Sequence, residues 1–143
     1  MDAYSEFQLK NTLNWLLIRA SFQAKQGLIK LAEKHDLTLA QVFGLCILEP
    51  GKPEPMKTMA LQMRCDASTA TGIVDRLLEL GLIERKEAEH DRRIKNIELT
   101  ATGKKMRKIL LEQISANNSP ALASLSTDEV SALKILLTKI LNY

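Results

Sequence analysis

The sequence predicts a mainly α-helical chain with one small β-hairpin, and three observations predict it. Apolar residues recur at helical spacing along most of the 143 residues. Near the middle, two short helical segments flank a turn, Arg64-Cys65-Asp66. Two alternating segments joined by a charged tip come next and suit a hairpin. This order is a winged helix-turn-helix, here flanked by N- and C-terminal helices that we expect to serve dimerisation.

A long N-terminal helix is predicted from about Tyr4 to Lys34, where apolar residues form a continuous stripe. Its apolar surface exceeds what a small winged domain can cover. We therefore expect it to pack partly on another subunit or on the C-terminal helices. Residues 1–36 are assigned as an N-terminal dimerisation helix.

The winged helix-turn-helix is predicted over residues 37–100. Thr38 caps a helix over residues 39–48. Residues 49–55 hold three prolines and a glycine, which indicates a stiff turn that cannot continue the helix. A short helix over residues 57–63 follows this turn.

The second helix of the helix-turn-helix begins at Asp66 or Ser68 and ends at Gly81. Its predicted buried positions are Ala70, Ile73, Val74, Leu77 and Leu80. Its opposite face carries mostly short polar residues: Ser68, Thr69, Thr71, Gly72, Asp75 and Arg76. The hairpin strands are predicted at residues 82–86 and 94–99.

Residues 101–143 are predicted to be C-terminal dimerisation helices. Thr100 caps a helix that runs to about Ala116, and residues 117–120 break it. Ser126 then opens a final helix through a capping box. The predicted inward positions of that helix are Val130, Leu133, Leu136, Leu137 and Ile140.

Composition narrows the function classes. A hydrophobic content of 45% and a charged content of 26% are those of an ordinary globular protein. The formal net charge is only +3, but basic residues cluster at the hairpin, interleaved with acids. A solvated charged face is therefore an alternative interpretation of the hairpin.

The sequence supports neither a catalytic site nor a metal or cofactor site. Cys46 and Cys65 are isolated, which favours reduced thiols and a cytoplasmic location. We recognise no signal peptide and no membrane span. His35 and His90 have no ligand set around them, so no metal and no cofactor are expected. No catalytic pair stands out, so the chain is not predicted to be an enzyme.

Four runs of residues resemble the MarR family (multiple antibiotic resistance regulators) in order and spacing. They are STATGIVDRL from Ser68, LGLIER from Leu80, DRR from Asp91 and LTATG from Leu99. The resemblance implies a homodimer that binds a pseudo-palindromic operator in double-stranded DNA near its own or a neighbouring promoter. It also implies relief of binding by a small ligand or by cysteine oxidation. The family's wing often reads Asp-x-Arg-Asp-x-Arg, and this chain departs from that pattern at Ala88 and His90.

The candidate DNA-binding residues are Ser68, Thr69, Thr71, Gly72, Arg76, Asp91, Arg92 and Arg93. A recognition helix places its N-terminal turns in the major groove, where short hydroxyls can bond to phosphates or bases. The alternative for the three hydroxyl residues is capping and solvated surface. Gly72 would allow close approach to DNA, or else relieve crowding against a neighbouring helix. Arg76 would contact a phosphate, or else pair with Glu79.

At the wing, Arg93 is predicted to insert into a narrow A·T-rich minor groove, whose negative potential attracts arginine. Asp91 would hold the wing by accepting a hydrogen bond from Arg93 or from a backbone N–H. The alternative is a surface ion pair of Arg93 with Asp91 or Glu89, which would contribute little.

These observations predict a sequence-specific transcriptional regulator that binds double-stranded DNA, a repressor relieved by a small ligand. One alternative is a MarR-like protein-binding module that sequesters another regulator without binding DNA. Another is a small-molecule sensor or enzyme built on a helical dimer. Phosphate contacts make DNA binding steeply salt-dependent, and this property separates the first two classes.

Overall fold

The computed structural model describes residues 8–116 and 119–142, and the predicted mainly α-helical fold with a hairpin wing is confirmed. The α-helices are α1 (Leu13–Glu33), α2 (Leu39–Ile47), α3 (Met56–Met63), α4 (Ala67–Glu79), α5 (Ala101–Ala116) and α6 (Thr127–Leu141). The strands are β1 (Glu54–Pro55), β2 (Ile83–Glu87) and β3 (Lys95–Leu99). The chain divides into two compact units, Ile29–Ala116 and Met1–Leu28 with Asn117–Tyr143.

Helix α1 begins later than predicted, because the helical pattern is interrupted at Asn11 and Thr12. The backbone N–H of Thr12 donates to the carbonyl of Leu9 at 3.0 Å. The Thr12 hydroxyl oxygen then accepts from the backbone N–H of Trp15 at 3.4 Å. Thr12 thus caps α1, and the prediction of one helix from Tyr4 to Lys34 is wrong at this point. Residues 4–7 lie outside the described part of the chain.

The helix boundaries around the winged unit follow the predicted caps. Thr38 and Gln41 form a reciprocal capping box at the start of α2. Thr100 accepts a hydrogen bond from the backbone N–H of Gly103 at 3.0 Å, at the start of α5. Gly81 adopts a positive φ of 66° just after α4, in the conformation that favours glycine.

The wing is a three-stranded antiparallel sheet in the order β1-β3-β2. The two hairpin strands are confirmed to within one residue at each end, with Ile83 opposite Leu99 and Glu87 opposite Lys95. Strand β1 was not predicted: residues 49–55 do more than turn, since Glu54 pairs with Ile97 on β3. Pro55 is compatible with this strand because β1 lies at the edge of the sheet.

The core of the unit Ile29–Ala116 is continuous across its helices and the sheet. Its fully buried large side chains are Leu45, Leu48, Met59, Leu77, Leu110, Val42 and Val74. Ala70 and Ile73 on α4 are also buried, as predicted. Leu80 is 36% exposed and does not belong to the core. It is the C-cap residue of α4, so the helical periodicity no longer fixes its direction.

Ser126 is the N-cap of helix α6, and its predicted capping box with Glu129 is confirmed. The predicted inward face is wrong for a single chain, because no residue of α6 is buried. Leu136 and Ile140 are 58% and 57% exposed. Helical spacing shows which side of a helix is apolar, whereas the group that covers it need not belong to the same chain. Residues 117 and 118 of the predicted break lie outside the described residues.

Candidate nucleic-acid interface

The N-terminus of α4 is organised by Asp66, one of the two predicted N-caps. Its carboxylate accepts from the backbone N–H of Thr69 at 2.6 Å. Hydrogen bonds from the backbone and the side chain of Thr69 hold the pKa of Asp66 below its usual value. Ser68, the other predicted cap, is exposed, and its hydroxyl bonds to no residue of the described chain. That hydroxyl is therefore free to meet a ligand.

The two faces of α4 separate as predicted. The face opposite the core is exposed at every predicted position: Ser68, Thr69, Thr71, Gly72, Asp75 and Arg76. A Cβ built at Gly72 would meet no neighbouring atom of the described chain within 4 Å. Crowding against another helix is therefore not the reason for a glycine here. The exposed glycine leaves a shallow point on the helix surface, where another molecule can approach the backbone closely.

Four residues of this face are already engaged within the chain: Thr69 with Asp66, Asp75 with Arg85, and Thr71 and Arg76 as follows. The Thr71 hydroxyl donates to the carbonyl of Ala67 at 2.8 Å, so Thr71 offers incoming groups an acceptor only. An acceptor suits a base amino group and not a phosphate. Arg76 lies 3.1 Å from the Glu79 carboxylate, which is the predicted ion-pair alternative. An exposed pair of this kind contributes little, so a phosphate could replace Glu79 at small cost.

The stem of the wing has its cations neutralised. Lys86 pairs with Glu98 at 3.1 Å, and Lys95 pairs with Glu87 at 2.9 Å. Arg85 lies 3.4 Å from Asp75 and so links β2 to α4. These pairs explain why basic residues and acids alternate along the hairpin, and they leave the free positive charge of the wing at its tip.

At the tip, Asp91 fixes the turn through the backbone. Its carboxylate accepts from the backbone N–H of Arg93 at 2.9 Å, and its carbonyl accepts from the N–H of Ile94 at 3.0 Å. Arg92 and Arg93 are exposed and form no ion pair with any described residue. The alternative in which Arg93 pairs with Asp91 or Glu89 is thus wrong for the free protein. The wing presents two unpaired guanidinium groups on a turn that Asp91 holds in place.

Sequence reasoning missed Arg64, which ends α3. Arg64 adopts φ 52° and ψ 44°, and its N–H caps the carbonyls of Ala60 and Leu61. This left-handed conformation costs a residue with a Cβ about 1–2 kcal/mol. The turn of a helix-turn-helix often contains glycine at such a point. An arginine in place of that glycine was the feature of the sequence that could have identified this residue.

The two cysteines give no sign of a reactive pair. Both are free and half-buried. Burial raises the pKa of the Cys46 thiol, and the charge of Arg107 offsets this only in part. A protonated thiol reacts poorly with oxidants. The described residues contain no group of three or more His, Cys, Asp or Glu side chains that could hold a metal ion.

A cavity lies beside the wing, and the candidate DNA-binding residues described above do not depend on it. It measures about 640 Å³ and lies between residues 51–55 and the hairpin. Its lining includes Lys86, Asn96 and Glu98, of which the first and last are ion-paired with each other. Within the described residues, no helix is long and apolar enough to cross a membrane.

Residues 37–95 match the MarR family. The organic hydroperoxide resistance transcriptional regulator of Bacillus subtilis (strain 168) is 30% identical over 102 residues, which are 71% of this chain and 69% of that protein. The HTH-type transcriptional regulator MgrA of Staphylococcus aureus is 29% identical over 138 residues, covering 96% of this chain and 92% of MgrA. A crystal structure of a probable transcriptional regulator from Pseudomonas aeruginosa has a TM-score of 0.79 at 28% identity and covers 92% of this chain and 98% of that one. The chain therefore belongs to the MarR family, and it is a DNA-binding transcriptional regulator and not an enzyme.

Proposed function

We propose that the protein is a homodimeric repressor that binds a pseudo-palindromic operator and is released from it by a small ligand. The observation that carries the proposal is the exposed, uncrowded face of α4 beside a wing tip with two unpaired arginines. A helix of this kind fits the major groove, and a wing of this kind fits the neighbouring minor groove.

The recognition helix would use its short polar side chains at close range. Ser68 offers a free hydroxyl, and Thr71 offers an acceptor to base amino groups. Thr69 lies in the first turn of α4, where the macrodipole favours a phosphate, although its own N–H already donates to Asp66. Gly72 lets the backbone approach the DNA, and Arg76 exchanges Glu79 for a phosphate.

The wing would supply minor-groove contacts. Arg93 is the inserted residue, Arg92 contacts the adjacent backbone, and Asp91 positions both by closing the turn. Asp91 is in this scheme a positioning residue, because a carboxylate placed directly against phosphate would be repelled. The absence of the earlier Asp and Arg at Ala88 and His90 leaves this turn as the source of minor-groove contact.

Dimerisation is supported by the apolar residues that the chain leaves exposed on its terminal helices. On α1, Leu13 and Ile18 are 67% and 62% exposed, and on α6 Ile135 is 68% exposed. Large apolar patches on a folded chain mark interaction surfaces. A pseudo-palindromic operator has an approximate two-fold axis. The partner that matches it is a second copy of the chain, because protein and operator then share that axis.

Relief by a small ligand fits this chain better than relief by oxidation of Cys46, because burial raises the pKa of that thiol and keeps it protonated. We also propose the cytoplasm as the compartment, where the DNA target and two free cysteines coexist. Family membership favours DNA binding over the protein-sequestering alternative.

The test is binding of the purified protein to a duplex from upstream of its own gene, with a scrambled duplex of equal length as control. Fluorescence anisotropy at several salt concentrations gives both the Kd and the salt slope. We expect preference for the upstream duplex and an affinity that falls steeply with salt. Equal, weak and salt-insensitive binding of both duplexes would refute DNA recognition and support the protein-sequestering module.

Repression and dimerisation need separate readouts. A reporter behind the upstream region should rise in expression when the gene is deleted, and a fall would indicate an activator. Sedimentation equilibrium should give twice the monomer mass of 16.0 kDa. A monomer at micromolar concentration would contradict the proposed dimer.

A further inference from the structure

The outer surface of α3 carries a stripe that the proposed function does not use. Lys57, Leu61 and Arg64 recur at the spacing i, i+4 and i+7, so they share one helix face. All three are exposed, and Leu61 is 69% exposed. The two cations are about 10 Å apart along the helix axis. Within the described part of the chain, neither cation pairs with a carboxylate.

The backbone conformation of Arg64 is one at which stability alone would favour another residue. Its left-handed backbone conformation is the one that glycine adopts without penalty. The conformation is required, because it turns the chain so that the Cys65 N–H donates to the Ala60 carbonyl at 3.1 Å and ends α3 just before the recognition helix begins. A guanidinium is not required for that purpose. Its charge interacts favourably with the C-terminal end of α3, but this gain is smaller than the cost of the left-handed backbone, so the arginine needs a separate explanation.

Lys57 is placed against local preference as well. It lies in the first turn of α3, where the helix macrodipole favours acidic residues, yet that turn contains none. The left-handed backbone conformation of Arg64 and the position of the Lys57 charge thus each reduce stability. Sites where local preferences are violated in this way concentrate where a chain binds something.

The position of α3 identifies the ligand chemistry. Arg64 is two residues before Asp66, the cap of α4, so its backbone lies beside the N-terminus of the recognition helix. In helix-turn-helix proteins the first helix crosses the DNA backbone while the second enters the groove. The cations of the wing stem are neutralised by carboxylates, whereas those of α3 are not.

We propose that Lys57 and Arg64 contact phosphates of the operator and supply sequence-independent affinity beside the groove that α4 enters. The inference rests on the proposed operator binding. It assigns affinity to α3 and leaves sequence discrimination to α4 and the wing, because phosphate contacts position a protein without reading bases.

The test compares Arg64→Gly with Arg64→Lys, and Lys57→Gln with Lys108→Gln, on the same upstream and scrambled duplexes. Arg64→Gly removes the charge and relieves the backbone, so its melting temperature should equal or exceed that of the wild type. Arg64→Lys keeps the charge and should retain binding. Lys108→Gln removes one charge from α5, where Lys108 lies 4.0 Å from Glu112, and is the matched control for net charge.

Arg64→Gly should lower the magnitude of the salt slope by about 1.8, because a dimer loses two contacts and each contributes about 0.9. Between about 50 and 200 mM salt, the wild type should then lose about tenfold more affinity than the variant. Lys57→Gln should behave likewise. The ratio of upstream to scrambled affinity should stay constant in both variants.

Three results would overturn the inference. Wild-type Kd and slope in Arg64→Gly and Lys57→Gln would exclude phosphate contacts. An equal loss in Lys108→Gln would reduce the effect to net charge. A changed preference between the duplexes would make these residues readers of sequence. If the wild type itself binds neither duplex in a salt-dependent way, the proposed function fails first, which distinguishes the two failures.

Discussion

Gly72→Ala should make the protein more stable and worse at binding its operator. Gly72 lies inside α4, and no neighbouring atom of the described chain would contact the added methyl group. Replacing glycine by alanine in an exposed helix interior stabilises by about 0.8–1.0 kcal/mol. For a chain of this size the melting temperature should rise by about 2–5 °C.

The same methyl group should obstruct DNA. If the helix backbone approaches the groove at Gly72, the methyl enters a packed contact, where overpacking costs about 1–3 kcal/mol. The operator Kd should then weaken about 5- to 150-fold. Stability follows from urea unfolding and affinity from anisotropy on the upstream duplex. Opposite signs in the two measurements distinguish a contact surface from an ordinary structural position.

Ser115→Ala is the matched control, because Ser115 is exposed on α5 and alanine also favours helix there. It should raise stability slightly and leave the Kd unchanged. A Gly72→Ala variant that is less stable than the wild type would refute the open space assigned to this position. A more stable variant with wild-type affinity would refute the placement of this face against DNA.

Three further outcomes are expected. Arg93→Ala should weaken operator binding, measured by anisotropy, by about 1–3 kcal/mol and leave folding intact. Alanine at the ion-paired Lys95 should have a smaller effect. Equal effects of the two substitutions would contradict minor-groove insertion of Arg93. Gly103→Ala should destabilise by about 1–3 kcal/mol or more in urea, because the added Cβ would clash with the Leu82 carbonyl, and wild-type stability would exclude this close approach. Asp66 has a lowered pKa in the folded state, so its stabilisation is present above the unfolded value of about 3.9 and is lost as pH falls through the folded value. Asp66→Asn should flatten the acid side of a plot of melting temperature against pH, and superimposable curves would remove Asp66 as the cause.

The recognition helix was predictable because its own chain covers its apolar face. Ala70, Ile73, Val74 and Leu77 repeat at helical spacing, and the core of the same unit buries them. The polar face then follows by exclusion. The pattern fails at Leu80, where the helix ends and the backbone turns toward the sheet.

Strand β1 could not be predicted from its own residues. Glu54 and Pro55 carry no strand signal, and their conformation becomes a strand only through pairing with β3, more than 40 residues later. The sequence likewise could not determine which charged residues form ion pairs. Sequence spacing allowed Arg76 to pair with Glu79 and Arg93 to pair with Asp91, and only the backbone geometry realises the first and not the second.

The terminal helices illustrate a different limit. Periodicity identified the apolar faces of α1 and α6, but burial depends on what lies opposite those faces. In a single chain α6 buries no residue. A symmetric partner contributes no sequence of its own, so the pattern within one chain cannot separate an inward face from an intermolecular one.

The order of strands in the wing also bears on aggregation. The central strand β3 pairs with β1 on one side and with β2 on the other. One outer strand of the sheet is therefore β1, which contains Pro55 and follows Pro53. A proline cannot donate to an added strand, and the other outer strand, β2, carries four consecutive charged residues after Ile83. Neither edge is a favourable template for a further strand from another molecule. Concentrated protein should therefore associate through its helices, and assemblies built by strand addition at the wing should not form.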